Sequence, residues 1–200
     1  YDTLNKAFLP TDGERQRGSF DMSIPGSDLE YYTVNYLGET YIPLLDKEDV
    51  SLRLKARLGY GDGFGDSSGL PFLKNFFAGG IRSVRGYAYN SLGADNTLYE
   101  TSTAGVFETA GGNVLLTGTA ALQFPLPGVK ETDQARLSLF TDVGQIYNDN
   151  IEVDELRYSA GLALAWMTPI GPLSFTYAAA LNSESRDETE GFQFSIGSTF

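Results

Sequence analysis

The feature that most constrains this chain is a two-residue alternation of apolar and polar side chains that recurs in eight separate segments. It is sharpest at Val50, Leu52, Leu54, Ala56, Leu58 and Tyr60 against Ser51, Arg53, Lys55, Arg57 and Gly59. Successive Cβ atoms of an extended chain point to opposite faces, so this pattern specifies a strand with one apolar and one polar face. Three cations on one face do not suit a dry sandwich core; they suit a wet lumen or a solvated face.

The same period runs through the rest of the chain. Leu137, Leu139, Thr141 and Val143 oppose Arg136, Ser138, Phe140 and Asp142. Tyr158, Ala160, Leu162, Leu164 and Trp166 oppose Arg157, Ser159, Gly161 and Ala163, and Leu173, Phe175, Tyr177 and Ala179 oppose Ser174, Thr176 and Ala178. At the end, Phe192, Phe194, Ile196 and Phe200 oppose Gln193, Ser195 and Thr199. A segment from Asn113 to Phe124 sets Leu116, Leu122 and Phe124 against Thr117, Thr119, Ala121 and Gln123, and two earlier strands span Arg15 to Ile24 and Glu30 to Ile42. Each runs about 10 residues or more, the length a tilted membrane-spanning strand needs.

The connections fall into two kinds. Pro43 to Asp49, Pro125 to Asp133 and Thr168 to Pro172 read as Pro-bearing turns, whereas Gln145 to Glu155, Asn182 to Glu190 and the very long Asp62 to Gly112 read as loops; Pro25-Gly26-Ser27 is a tight turn on the long-loop side. Short turns on one side and longer loops on the other are the asymmetry of an outer-membrane barrel. Soluble β-sandwiches alternate too, but the aromatics at strand ends, Tyr41, Tyr60, Phe124, Trp166 and Tyr177, and the final Phe200 fit interfacial girdles. The expected fold is therefore all-β: a transmembrane antiparallel barrel with eight strands in this chain, residues 1–200 forming one domain, and one long loop between the third and fourth strands.

Composition narrows the function. The 200 residues contain no Cys and no His, so disulfides, thiolate sites, imidazole bases and most zinc sites cannot be built. A formal charge of −12, with no basic face to offset it, argues against a nucleic-acid partner. The segment Asp62-Gly63-Phe64-Gly65-Asp66 lacks the closing bidentate acid of a calcium loop. No catalytic, cofactor-binding or metal-binding residue is expected, nor is an enzyme. The chain has no starting Met and no signal peptide, which fits a mature chain or a piece of a longer one.

A connection of some fifty residues in a compact barrel is rarely idle. Its first half is rich in Gly and aromatics, with Phe72, Phe76, Phe77, Gly79 and Gly80 leading into Ile81-Arg82-Ser83-Val84-Arg85-Gly86-Tyr87. The stretch from Phe76 to Gly93 resembles the conserved-motif loop of the BamA family, the barrel-assembly factors of bacterial outer membranes. Phe8 to Gly13, Ile24 to Asp28, Gly59 to Gly63, Trp166 to Leu173 and Phe192 to Gly197 are similar to that family as well; Asp95 to Gly112 and Asn148 to Glu155 carry no match.

The resemblance implies the second half of a sixteen-stranded barrel, with POTRA domains and the first eight strands absent. It implies that the loop bearing Val84, Arg85, Gly86 and Tyr87 folds into the lumen, and that Arg85 pairs with acidic residues on the wall. Asp142 matches one wall position; the other, usually Glu in the family, is Gln123 here. The last strand, with Phe192, Phe194, Ile196, Gly197 and Phe200, would form one side of a lateral gate, and Gly197 would weaken its pairing and permit a kink. The implied function is folding and insertion of barrel proteins at the bacterial outer membrane. Implied partners are the lipid bilayer with its lipopolysaccharide, unfolded outer-membrane proteins as clients, and the accessory lipoproteins of the BAM complex. A related translocation and assembly barrel, TamA-like or a two-partner secretion transporter, is the alternative.

One consequence concerns the chain by itself. An eight-stranded barrel has room only for side chains, so a fifty-residue loop cannot fit inside it. The expected forms are a small closed barrel with the loop expelled and Arg85 stripped of its wall partners, or a homodimer forming a wider barrel. Closure removes both raw sheet edges and is the favoured form.

Overall fold

The computed structural model describes residues 1–45, 50–94, 97–100, 107–126, 134–169 and 171–197. Twelve strands lie among them: β1 Gly13–Met22, β2 Tyr31–Pro43, β3 Ser51–Gly63, β4 Gly86–Tyr87, β5 Leu98–Glu100, β6 Phe107–Thr109, β7 Val114–Pro125, β8 Ala135–Tyr147, β9 Arg157–Thr168, β10 Gly171–Ala180, β11 Thr189–Glu190 and β12 Phe192–Ile196. Eight form one antiparallel sheet in the order β1-β2-β3-β7-β8-β9-β10-β12. The four short strands belong to loops, where β4 pairs β11 and β5 pairs β6. The expected turns Pro43 to Asp49 and Pro125 to Asp133 lie largely outside the described residues, as does Phe200.

Alternation assigns the two faces. On β3, Ser51, Arg53 and Gly59 are buried while Leu54, Leu58 and Tyr60 are exposed. On β8, Arg136, Ser138, Phe140 and Asp142 are buried and Leu139 is exposed. Leu122, Leu162, Trp166, Tyr177, Phe192, Phe194 and Ile196 extend this exposed apolar face across the sheet. A continuous outer band of large apolar residues over a polar inner face is the arrangement a lipid-facing barrel wall requires. Among the described residues no helix is long and apolar enough to cross a membrane.

Register converts this alternation into rows. Arg15 lies opposite Glu39, Glu39 opposite Lys55, Lys55 opposite Thr119, Thr119 opposite Asp142, and Asp142 opposite Ser159. One polar row thus crosses the inner face of six strands.

Two expectations need correction. Tyr41 is not in a girdle: it shares the inner face with Glu39 and Arg53, is buried, and donates its hydroxyl to Glu39 Oε1 at 2.5 Å. Its position near a strand end was a weaker guide than its parity. The expected expulsion of the loop is not seen either, and Arg85 keeps its wall partner Asp142. No pairing joins β1 to β12 among the described residues, and the long loop lies against the inner face. Loop residues Phe76, Ala78, Val84, Tyr87 and Leu92 pack with Leu115 and Ile146 of the wall into one buried apolar cluster. Burying that cluster favours a docked loop over an expelled one.

Candidate functional site

The loop is pinned at its base before it reaches the motif. Phe76 and Gly112 exchange two backbone hydrogen bonds, at 2.8 and 3.1 Å, and Leu92 N donates to Ala78 O. Gly112 admits no side chain, since a Cβ there would lie 2.1 Å from Tyr147 O. Ahead of the motif the chain folds on itself: Ser83 Oγ donates to Gly79 O and accepts from Gly79 N, and Gly80 N bonds the carbonyls of Val84 and Tyr87.

This presents Arg85 to the wall. Its Nε donates to Asp142 Oδ2 and its Nη2 to Asp142 Oδ1, both at 2.7 Å, the two-pronged geometry that the planar guanidinium favours. The backbone N–H of Arg85 also donates to Oδ2 at 3.1 Å, and Thr119 Oγ1 donates to Oδ1 at 2.8 Å. The Asp142 carboxylate therefore accepts four hydrogen bonds. The guanidinium carbon lies 3.3 Å from the centroid of the Phe140 ring, stacked over its face. Arg85 and Asp142 are 3% and 1% exposed, so this pair is desolvated, and such a pair persists only when its hydrogen bonding is this complete.

The rest of the motif completes the dock. Val84 is fully buried and meets Gly144. Gly86 adopts φ +90° and lies against Ala178, whose methyl would be 3.2 Å from an added Cβ, so both conformation and proximity require glycine. Tyr87 is fully buried; its hydroxyl bonds Tyr158 O and Asn182 Oδ1 at 3.3 Å. Burial, reinforced by nearby Asp187, pushes this phenol up to about 12.

Gln123 lies on the same inner face, four residues along β7 from Thr119, or about 13 Å of strand. Its carboxamide oxygen accepts from Ser51 Oγ at 3.4 Å, and it lines a small cavity with Arg15, Glu39, Tyr41 and Arg53. In that group Arg53 Nη2 is 2.9 Å from Glu39 Oε1, both buried. The structure thus joins Arg85 to Asp142 and seats Gln123 beside a second buried ion pair.

On β12, Phe192, Phe194 and Ile196 point outward and Gln193 inward. The strand pairs β10 over five positions, ending at Leu173 opposite Ile196. Gly197 follows with φ +80° and leaves strand geometry, its N–H bonding Pro172 O.

Two contributors escaped sequence reasoning. Phe140 carried a signal, being a large apolar residue set among Arg136, Ser138 and Asp142 on one face. Thr119 carried none, because a threonine on a polar face is unremarkable until register sets it against Asp142.

Comparison with known proteins agrees with this geometry. The family model described as the Omp85 superfamily domain matches residues 1–200. The outer membrane protein assembly factor BamA of Neisseria meningitidis serogroup B is 34% identical over 222 residues, covering 98% of this chain and 27% of the relative. A SAM50-like protein of Schizosaccharomyces pombe is 24% identical over 213 residues, covering all of this chain and 42% of the relative. The crystal structure of BamA from Haemophilus ducreyi lacking POTRA domains 1–3 superposes with a TM-score of 0.88 at 34% identity, covering all of this chain and 41% of that one. The chain thus spans between about a quarter and two fifths of these relatives' lengths. Its sheet is a stretch of bacterial outer-membrane barrel wall, and the chain belongs to the Omp85 superfamily.

Proposed function

We propose that this chain is the C-terminal part of the barrel of an outer-membrane assembly factor, which folds client barrel proteins and inserts them through a lateral gate at β12. The observation that carries this reading is the motif loop locked on the inner wall through Arg85 and Asp142, close to a last strand that pairs over only five described positions. A strand edge in hydrocarbon cannot persist without a partner, and an edge that is weakly partnered recruits another strand. In the full-length protein further strands complete the sheet beyond β1, and β12 separates to template a client. The process is strand exchange and insertion, with no covalent step. Unfolded outer-membrane proteins are the clients, and lipopolysaccharide-bearing lipid faces the outer apolar band.

The test uses the full-length protein in liposomes with a urea-unfolded barrel client. The wild type should accelerate appearance of protease-resistant client over empty liposomes, and Arg85→Ala should remove most of that gain. If the wild type gives no acceleration, the assembly reading is wrong.

A further inference from the structure

The hairpin between β10 and β12 is bound to the motif loop along its returning arm. β11 pairs with β4, setting Thr189 opposite Tyr87 and Glu190 opposite Gly86. Ala88 N donates to Glu188 O at 2.9 Å. The hairpin is itself anchored to β9, where the fully buried Arg157 meets Asp187 at 2.7 Å and Glu184 at 3.2 Å. At the root of the last strand, Gln193 points inward, is 6% exposed, and donates Nε2 to Tyr87 O at 2.7 Å and to Glu190 Oε2 at 3.2 Å.

The two ends of β12 are therefore held differently. Its long-loop end is fastened by β10 on one side and by Tyr87 of the motif loop through Gln193. Toward its other end, the ladder with β10 ends at Ile196, and Gly197, at φ +80°, leaves strand geometry with its N–H still bonded to Pro172 O. Tyr87 lies two residues beyond Arg85, and the wall partner of Arg85 is on β8, three places from β12 in the sheet. A bond from the last strand to this loop thus spans elements that the sheet order keeps apart.

We propose that Gln193 is a positioning residue that couples the motif loop to the last strand. Docking of Arg85 on Asp142 fixes Tyr87, the Tyr87 carbonyl holds Gln193, and Gln193 holds the long-loop end of β12. Loop and strand end then open as one unit. That β12 is a gate rests on the proposed function; the coupling does not.

Such coupling is reciprocal, so perturbing either end must be felt at the other. Amide hydrogen exchange of the full-length protein in lipid nanodiscs, read by mass spectrometry, measures both segments. Gln193→Leu, which deletes a buried hydrogen bond at similar size, should speed exchange of residues 84–88 about fivefold. Arg85→Ala should speed exchange of residues 192–196. Thr176→Val removes a buried hydroxyl directly opposite Gln193 that has no bond to the loop, and should leave residues 84–88 unchanged. Gln193→Glu, isosteric but without the donor and placed beside Glu190, should reproduce Gln193→Leu if the latter fails to fold. If each substitution alters only its own segment, or if Thr176→Val disturbs the loop equally, the coupling is overturned. Client insertion is scored separately in liposomes: lost coupling with intact insertion removes this inference alone, and absent insertion by the wild type removes the assembly reading alone.

Discussion

Removing one charge of the Arg85–Asp142 pair strands the other in a desolvated site. Arg85→Met leaves a carboxylate that is 1% exposed with only Thr119 Oγ1 and the residue 85 backbone N–H to satisfy it. Stripping one partner from a buried ion pair costs about 3–5 kcal/mol, or between two and four orders of magnitude in the population of an undocked loop. Asp142→Asn, which keeps a hydrogen-bond acceptor but not the charge, strands the guanidinium over Phe140 and should cost a comparable amount. The double substitution removes both charges, so its cost should fall short of the sum by about 2 kcal/mol. Arg85→Lys should fall between, since an ammonium keeps the charge but loses the two-pronged contact and the ring stacking. Exchange of the residue 84–88 amides in the full-length protein reads the opening free energy directly. Additive single effects, with coupling below about 0.5 kcal/mol, would show that Arg85 is not held by Asp142.

Gly86→Ala should weaken the same dock by about 1–3 kcal/mol, because its φ of +90° is strained for any L residue and its Cβ would crowd Ala178; unchanged loop exchange would contradict this. Asn182→Ala should cost about 1–3 kcal/mol locally, since its side chain accepts from Tyr158 N at 2.7 Å and donates to Leu156 O at 2.6 Å, and faster exchange of the Tyr158 amide is the readout. Glu30 accepts backbone N–H bonds from Gly26 and Asp66, which hold its carboxyl below the ordinary glutamate value of 4.5. A depressed value means the clamp is fully formed above 4.5 and is lost as pH falls through the folded-state value. Pepsin cleavage between residues 64 and 68 should therefore rise steeply on acidification in the wild type, whereas Glu30→Gln should be cut readily without that added step.

Much of the wall was legible because strand alternation is a local, covalent consequence of backbone geometry. Asp142 and Gln123 fell on the inner face, and Leu54, Leu139 and Trp166 on the outer, as period two requires. Tyr41 was misplaced because a strand-end aromatic was read by its type instead of by its parity with Glu39. The loop's place departs from expectation for a different reason. Counting strands sets a lumen size, but it does not weigh the apolar surface that Val84, Tyr87 and Phe76 bury against Leu115 and Ile146. The short ladder between β4 and β11 was illegible: two residues on each side leave no periodicity to read.

The sequence by itself determined that this chain forms strands, which face of each strand meets lipid, and that no imidazole or thiol chemistry is available to it. Those follow from residue type and the two-residue repeat, which need no knowledge of distant neighbours. Only the tertiary structure decided that Arg85 reaches Asp142, that Phe140 stacks on it, that Gln123 joins Glu39 and Arg53, and that Gln193 holds Tyr87. Arg85 and Asp142 are 57 residues apart and Gln193 and Tyr87 are 106 apart. Contacts at such separations depend on register and on the path of a loop, both set by how the whole sheet buries its apolar residues.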